Sequence, residues 1–136
     1  MRTITELSHS DAMTIINAIR ERAEANNAGL AVAVVDTHGA LIAFLRTDGC
    51  KLPSITIAQN KAYTAAREQI DSKTLGERSS EEGFPMTNFG ELRYVSWGGG
   101  IPIVVDGTVV GAVGVSGLPE AEDIEYVKHG IGALDT

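Results

Sequence analysis

Hydrophobic positions in this chain follow two periods, and the changes from one to the other mark its elements. Ala12, Ile15, Ile16, Ile19 and Ala23 fall at helical spacing and predict an amphipathic first helix. Ser8 and Asp11 precede that stripe in the S-x-x-D spacing of a capping box, and Asn26-Asn27-Ala28-Gly29 supplies the residues that stop a helix. Residues 30–35 are instead a short, almost wholly apolar run, broken by Asp36-Thr37-His38-Gly39 before residues 41–45 resume it. Asp at the first and Gly at the fourth position of that break suit a type I turn, so a β-hairpin is expected. Its continuous apolarity predicts strands covered on both faces.

Pro53 is well placed to open a second helix, which residues 54–69 continue with Ala58, Ala62, Ala65 and Ala66 along one face. Small side chains at that spacing let another backbone approach closely, either a sheet or a partner subunit. Asp71 is expected to cap a shorter polar helix through Glu77 and Arg78. Residues 79–97 lose all period, broken by Gly83, Pro85, Asn88 and Gly90, yet they hold Phe84, Met86, Phe89, Tyr94 and Trp97. Long loops in compact domains are usually functional or disordered, and aromatic content argues against disorder.

Residues 101–105, then Asp106-Gly107, then residues 108–115 form the clearest hairpin signal. A last helix begins at Pro119 and puts Ile124, Val127, Ile131 and Leu134 on one face. The order is α-β-β-α-α-loop-β-β-α. It predicts an α+β fold, an antiparallel sheet of two β-hairpins with helices packed on it, in a single domain over residues 1–136.

The charge of −7 disfavours nucleic acid and anionic membrane surfaces as partners, since both are held mainly by basic residues. No apolar run approaches the length that crosses a bilayer, and the N-terminus lacks a secretory pattern. With Cys50 as the only cysteine, no internal disulfide can form. A cytoplasmic protein that handles a small molecule is expected.

Gly98-Gly99-Gly100 and the run from Gly111 to Gly117 bracket the second hairpin. The spacing fits neither phosphate-binding glycine motif, and Glu120, Glu122 and Asp123 in the following first turn would repel a phosphate. Gly111 and Gly114 therefore read as packing positions, and residues 98–102 as a pocket wall. His9, His38 and His129 lack zinc-ligand spacing, so no metal site is expected from motif. His38, His129 or Cys50 could still supply one axial ligand to a bound metal cofactor, Cys50 with its thiolate favoured by Lys51. Lys61 stands out on the alanine-rich helix. It reads either as a snorkelling side chain or as an anchor for a ligand carboxylate.

An ordered set of short motifs spans nearly the whole chain. It comprises Asp36 and Gly39, Arg46-Thr47-Asp48-Gly49, Lys61-Ala62-Tyr63-Thr64-Ala65, Gly99-Gly100-Ile101-Pro102-Ile103, and Gly111 to Gly117 followed by Asp123. Together they resemble the GlcG/HbpS-like family of heme-binding proteins, which is similar to the C-terminal domain of PduO-type corrinoid adenosyltransferases. Trp97 departs from the proline more typical before the double glycine.

The resemblance implies a three-layer α-β-α, profilin-like domain that forms dimers or larger homo-oligomers. It also implies a pocket near the glycine-proline segment and the alanine-rich helix. A small-ligand-binding protein is then expected, with heme or a related tetrapyrrole as first candidate. Lys61 and Arg93 would engage propionates, Phe89, Tyr94 and Trp97 would contact the ring, and Gly99, Gly100 and Pro102 would form the wall. The alternative is a small catabolic enzyme, an isomerase, hydratase or decarboxylase acting on an organic acid or aromatic ring-cleavage product. There Lys61 or Arg93 would bind the carboxylate, and Asp36, His38 or Glu91 would move a proton.

Overall fold

β1 (Ala31–Val35) and β2 (Leu41–Arg46) form the first hairpin, and β3 (Gly100–Val105) and β4 (Thr108–Ser116) the second. In the computed structural model, which describes residues 1–135, β1 also pairs antiparallel with β4, Ala31 opposite Ser116. The sheet order is therefore β2-β1-β4-β3, with the earliest and latest strands side by side at the centre. Asp106 and Gly107 both take positive φ, 50° and 77°, as the tight turn between β3 and β4 requires.

Helices α1 (His9–Ala25) and α4 (Glu120–Gly132) cover one face of the sheet and α2 (Leu52–Glu68) covers the other. The α+β, three-layer α-β-α arrangement follows from the alternation of side chains along the two central strands. Val32, Val34, Val113 and Val115 join Ile15, Ile19 and Val127 in the larger core. Ala33, Val35 and Ala112 meet Ala62, Ala65 and Ala66 in the smaller one. The capping box at Ser8 and Asp11 forms, each side chain bonded to the other residue's backbone N–H.

Two expectations change. β1 is buried on both faces, but β2 is only half-buried because it is an edge strand. Helix α3 (Ser72–Glu82) continues past Arg78 to Glu82 and stops at Gly83, whose φ of 73° suits a left-handed C-cap. The irregular stretch is correspondingly shorter and contains one 3₁₀ turn, Met86–Phe89.

α2 lies almost against the sheet backbone. A Cβ on Gly114 would stand 2.2 Å from the carbonyl oxygen of Ala58, and one on Gly100 would stand 2.2 Å from that of Lys61. Neither obstacle is a flexible side-chain end, so helix and strand would have to separate. We expect Gly114→Ala to cost about 1–3 kcal/mol or more in urea denaturation. Gly132→Ala, with nothing within 4 Å, should leave stability unchanged or raise it. Equal effects of the two would refute the close approach.

Candidate functional site

Successive turns of α2 present two stripes with different surroundings. Ser54, Ala58, Lys61 and Ala65 share the stripe that meets the sheet, whereas Asn60, Tyr63 and Arg67 share one that leaves it. Each stripe builds a separate site.

On the first, Lys61 is 3% exposed and its Nζ donates to the carbonyl of Val115 at 2.9 Å and to Asp123 Oδ2 at 3.1 Å. Asp123, 2% exposed, sits in the first turn of α4, and its Oδ1 accepts the backbone N–H of Leu118 at 3.1 Å. A buried ion pair is tolerable only when its remaining hydrogen-bonding capacity is also met, and here Val115 and Leu118 meet it. Burial nevertheless pushes the Asp123 carboxyl above its ordinary value, against the opposing pull of Lys61.

A cleft of about 380 Å³ opens beside this pair, walled by Trp97, Gly98, Gly117 and Leu118 and floored by Ser54 and Ser116. Its glycine wall is held on both sides. Ser72 Oγ donates to the carbonyl of Trp97 and accepts the N–H of Gly100, while Glu120 accepts the N–H of Gly98. Gly99, at φ 118°, passes so close to Lys61 that a Cβ there would be 2.9 Å from Nζ. Pro102 lies two residue pairs beyond Gly100 along β3, opposite Ala112 in the sheet.

On the second stripe, Tyr63 donates to Glu91 Oε2 at 2.6 Å, and Tyr94 donates to Glu68 Oε2 at 2.8 Å. The Arg93 guanidinium lies 3.8 Å from the centre of the Tyr63 ring and that of Arg67 lies 5.0 Å from it. Phe89 packs on Tyr94 with ring centres 4.8 Å apart. Thr64 Oγ1 accepts the N–H of Val95 and so pins the crossing loop to α2. The bond to Glu91 and then burial raise the Tyr63 phenol; burial and then Glu68 raise that of Tyr94.

The expected ligand-binding residues are thus divided. Lys61 and Trp97 line the cleft, Gly99 and Gly100 lie behind its Gly98 wall and Pro102 lies further along β3, while Arg93, Phe89 and Tyr94 gather on the outer stripe. Lys61 and Arg93 lie on different sides of α2: Lys61 leaves the helix toward Val115, while Arg93 reaches from the crossing loop onto Tyr63 and Asn60. Of the expected proton carriers, Glu91 belongs to the outer cluster. Asp36 and His38 lie in the β1–β2 turn, where Asp36 Oδ1 accepts the N–H groups of His38 and Ala40. Glu6 joins them there, its carboxylate 3.4 Å from His38 Nδ1. The Cys50 thiol is pushed up by burial, not down, with Arg46 acting weakly against it. Asp123 is the site residue that the sequence reading placed in the family motif set and among the dipole-compensating acids, but gave no role at the site. Its position one helical turn before Val127 on a buried stripe was the available signal.

Residues 7–132 match the family described as haem degrading protein HbpS-like. The chain belongs to the HbpS-like family. Among its relatives, protein GlcG of Escherichia coli strain K12 is 40% identical over 122 residues, 85% of each chain. The crystal structure of a double mutant of Streptomyces reticuli HbpS superposes with a TM-score of 0.89 at 28% identity, over 100% of this chain and 92% of that one. A crystal structure of a PduOC:heme complex superposes with a TM-score of 0.88 at 26% identity, over 96% of both. This HbpS-like chain has no helix, among the described residues, long and apolar enough to cross a membrane.

The raised Asp123 carboxyl gives a pH signature with a definite sign. Between its unfolded value near 3.8 and its higher folded value, the native state holds a proton that the unfolded chain has released. That contribution to stability is complete below 3.8 and is lost as pH rises through the folded value. Urea midpoints measured across this range should fall with rising pH more steeply in the wild type than in Asp123→Asn. Parallel profiles would show that Asp123 titrates as an ordinary carboxylate.

Proposed function

We propose that this chain binds a tetrapyrrole, heme the first candidate, on the face where residues 84–97 cross α2. The observation that carries the reading is chemical: the rings of Tyr63, Phe89 and Tyr94 lie beside two guanidiniums, Arg67 and Arg93, that form no ion pair among the described residues, while Glu91 and Glu68 are bonded to the tyrosine hydroxyls. Tyr63 is 7% exposed and covered by the guanidiniums, so the ring surface open to a macrocycle is that of Phe89 and Tyr94; arginine forks match carboxylate geometry better than lysine does. The end-to-end similarity to a chain crystallised as a heme complex supports the same ligand class.

The cluster fits the ring and its propionates, not the iron. The phenol oxygens of Tyr63 and Tyr94 and the carboxylates of Glu91 and Glu68 are bonded to one another, which leaves Met86 as the one other side chain of an iron-ligating type in residues 84–97. Recognition therefore runs through Arg67, Arg93 and the ring faces. The chain is further read as a cytoplasmic homo-oligomer, which the free thiol of Cys50 and the 91% exposed side chain of Leu92 support.

Hemin titration should give a saturable Soret shift. Replacing both Arg67 and Arg93 by Ala should weaken it at least about tenfold, the loss of one charge-assisted contact. Iron-free protoporphyrin IX should compete within a few-fold of hemin. A non-saturable titration, or protoporphyrin that fails to compete, would contradict the reading.

A further inference from the structure

The cleft beside Lys61 belongs to a different stripe of α2 from the proposed tetrapyrrole face; among the described residues every buried side-chain polar atom has a partner, but the donors on the floor of the cleft have capacity to spare. A lysine ammonium has three N–H donors, and Lys61 spends two of them, on Val115 and Asp123. Ser54 and Ser116, each 6% exposed, share a single hydrogen bond of 3.3 Å between their hydroxyls, which leaves one O–H unspent. Both surplus donors line the same cleft, and Ser116 directly follows the residue whose carbonyl holds Nζ. Donors left over at buried positions cost free energy until an acceptor arrives.

The acceptor side of the cleft is already used. Asp123 is bonded through both oxygens, and Glu120 accepts from Gly98 and lies 3.7 Å from Lys73. Lys51, at the mouth, forms no ion pair among the described residues. What is missing is an acceptor-only, negatively charged group. The remaining walls, the Trp97 indole and Leu118, are apolar and suit a short hydrocarbon body.

We propose that this cleft is a binding site for a small monocarboxylic acid. The carboxylate takes the third N–H of Lys61 and the spare serine hydroxyl, and the carbon chain lies against Trp97 and Leu118. A carboxylate suits the cleft better than a phosphate, because its two acceptor oxygens match the two spare donors in number, while a phosphate would bring further acceptor oxygens toward the carboxylates of Asp123 and Glu120. The inference goes beyond tetrapyrrole binding and does not depend on it.

Trp97 is the only tryptophan of the chain and, 60% exposed at the rim, reports directly on the cleft. Butyrate should produce a saturable change in its fluorescence, while butan-1-ol and inorganic phosphate at equal concentration should not. Ser54→Ala should weaken the butyrate response about tenfold, the loss of a hydrogen bond to a charged group. Lys61→Met combined with Asp123→Leu, which removes the ion pair without leaving a lone buried charge, should abolish it. Circular dichroism confirms that each variant is folded.

No saturable response to butyrate, an equal response to butan-1-ol or phosphate, or a response unchanged in both variants would overturn the proposal. The Arg67→Ala, Arg93→Ala variant should keep the butyrate response, and Ser54→Ala should keep hemin binding. Loss of one ligand with the other retained therefore identifies which of the two readings has failed.

Discussion

A buried lysine–aspartate pair ties the layers of this domain together at one end of the sheet. Lys61 comes from the helix on one face, Asp123 from the first turn of a helix on the other, and the carbonyl of Val115 from the strand between them. Desolvating two charges is expensive, and the expense is offset only if the geometry is held. The pair therefore constrains where α4 can begin relative to α2. It also constrains the glycine segment that threads past Nζ.

The second constraint is steric and supports the first. Lys61 can reach past the end of β4 because α2 lies so close to the backbone of β3 and β4. Gly100 and Gly114 make that approach possible by presenting no Cβ to the carbonyls of Lys61 and Ala58. Ala62, Ala65 and Ala66 continue the same close contact toward the other end of the helix. A helix held this tightly on one stripe turns its opposite stripe away from the sheet, toward the loop. Tyr63 and Arg67 occupy that stripe, where the aromatic loop crosses. One helix thus serves two chemically different sites, an ammonium-floored cleft and a face of rings and guanidiniums.

Much of the fold was legible because it depends on short-range patterns. The stripe through Ile15 and Ile19, the capping pair at Ser8 and the Asp106-Gly107 turn each carry their own local signal. The edge position of β2 was not legible, since an apolar run reads alike whether one face is covered or two. Nor was the extension of α3, because residues 79–82 are polar and only the left-handed Gly83 marks the end. At the sites, Lys61 stood out as a charge among alanines. Asp123 was hidden as one of three acids in a first turn, and only packing separates it from the exposed Glu120 and Glu122. The separation of Lys61 from Arg93 depends on how the loop crosses α2, a long-range fact with no local signature.

The energy that couples Lys61 to Asp123 measures this constraint most directly. A double-mutant cycle in urea denaturation, with Lys61→Met, Asp123→Leu and the pair together, measures it. Each single variant strands an unpaired buried charge and should cost about 3–5 kcal/mol, whereas the double variant should cost less than either. Single effects that simply add, within about 0.5 kcal/mol, would show that the two side chains act independently and would remove the constraint on which the rest of the structure is argued.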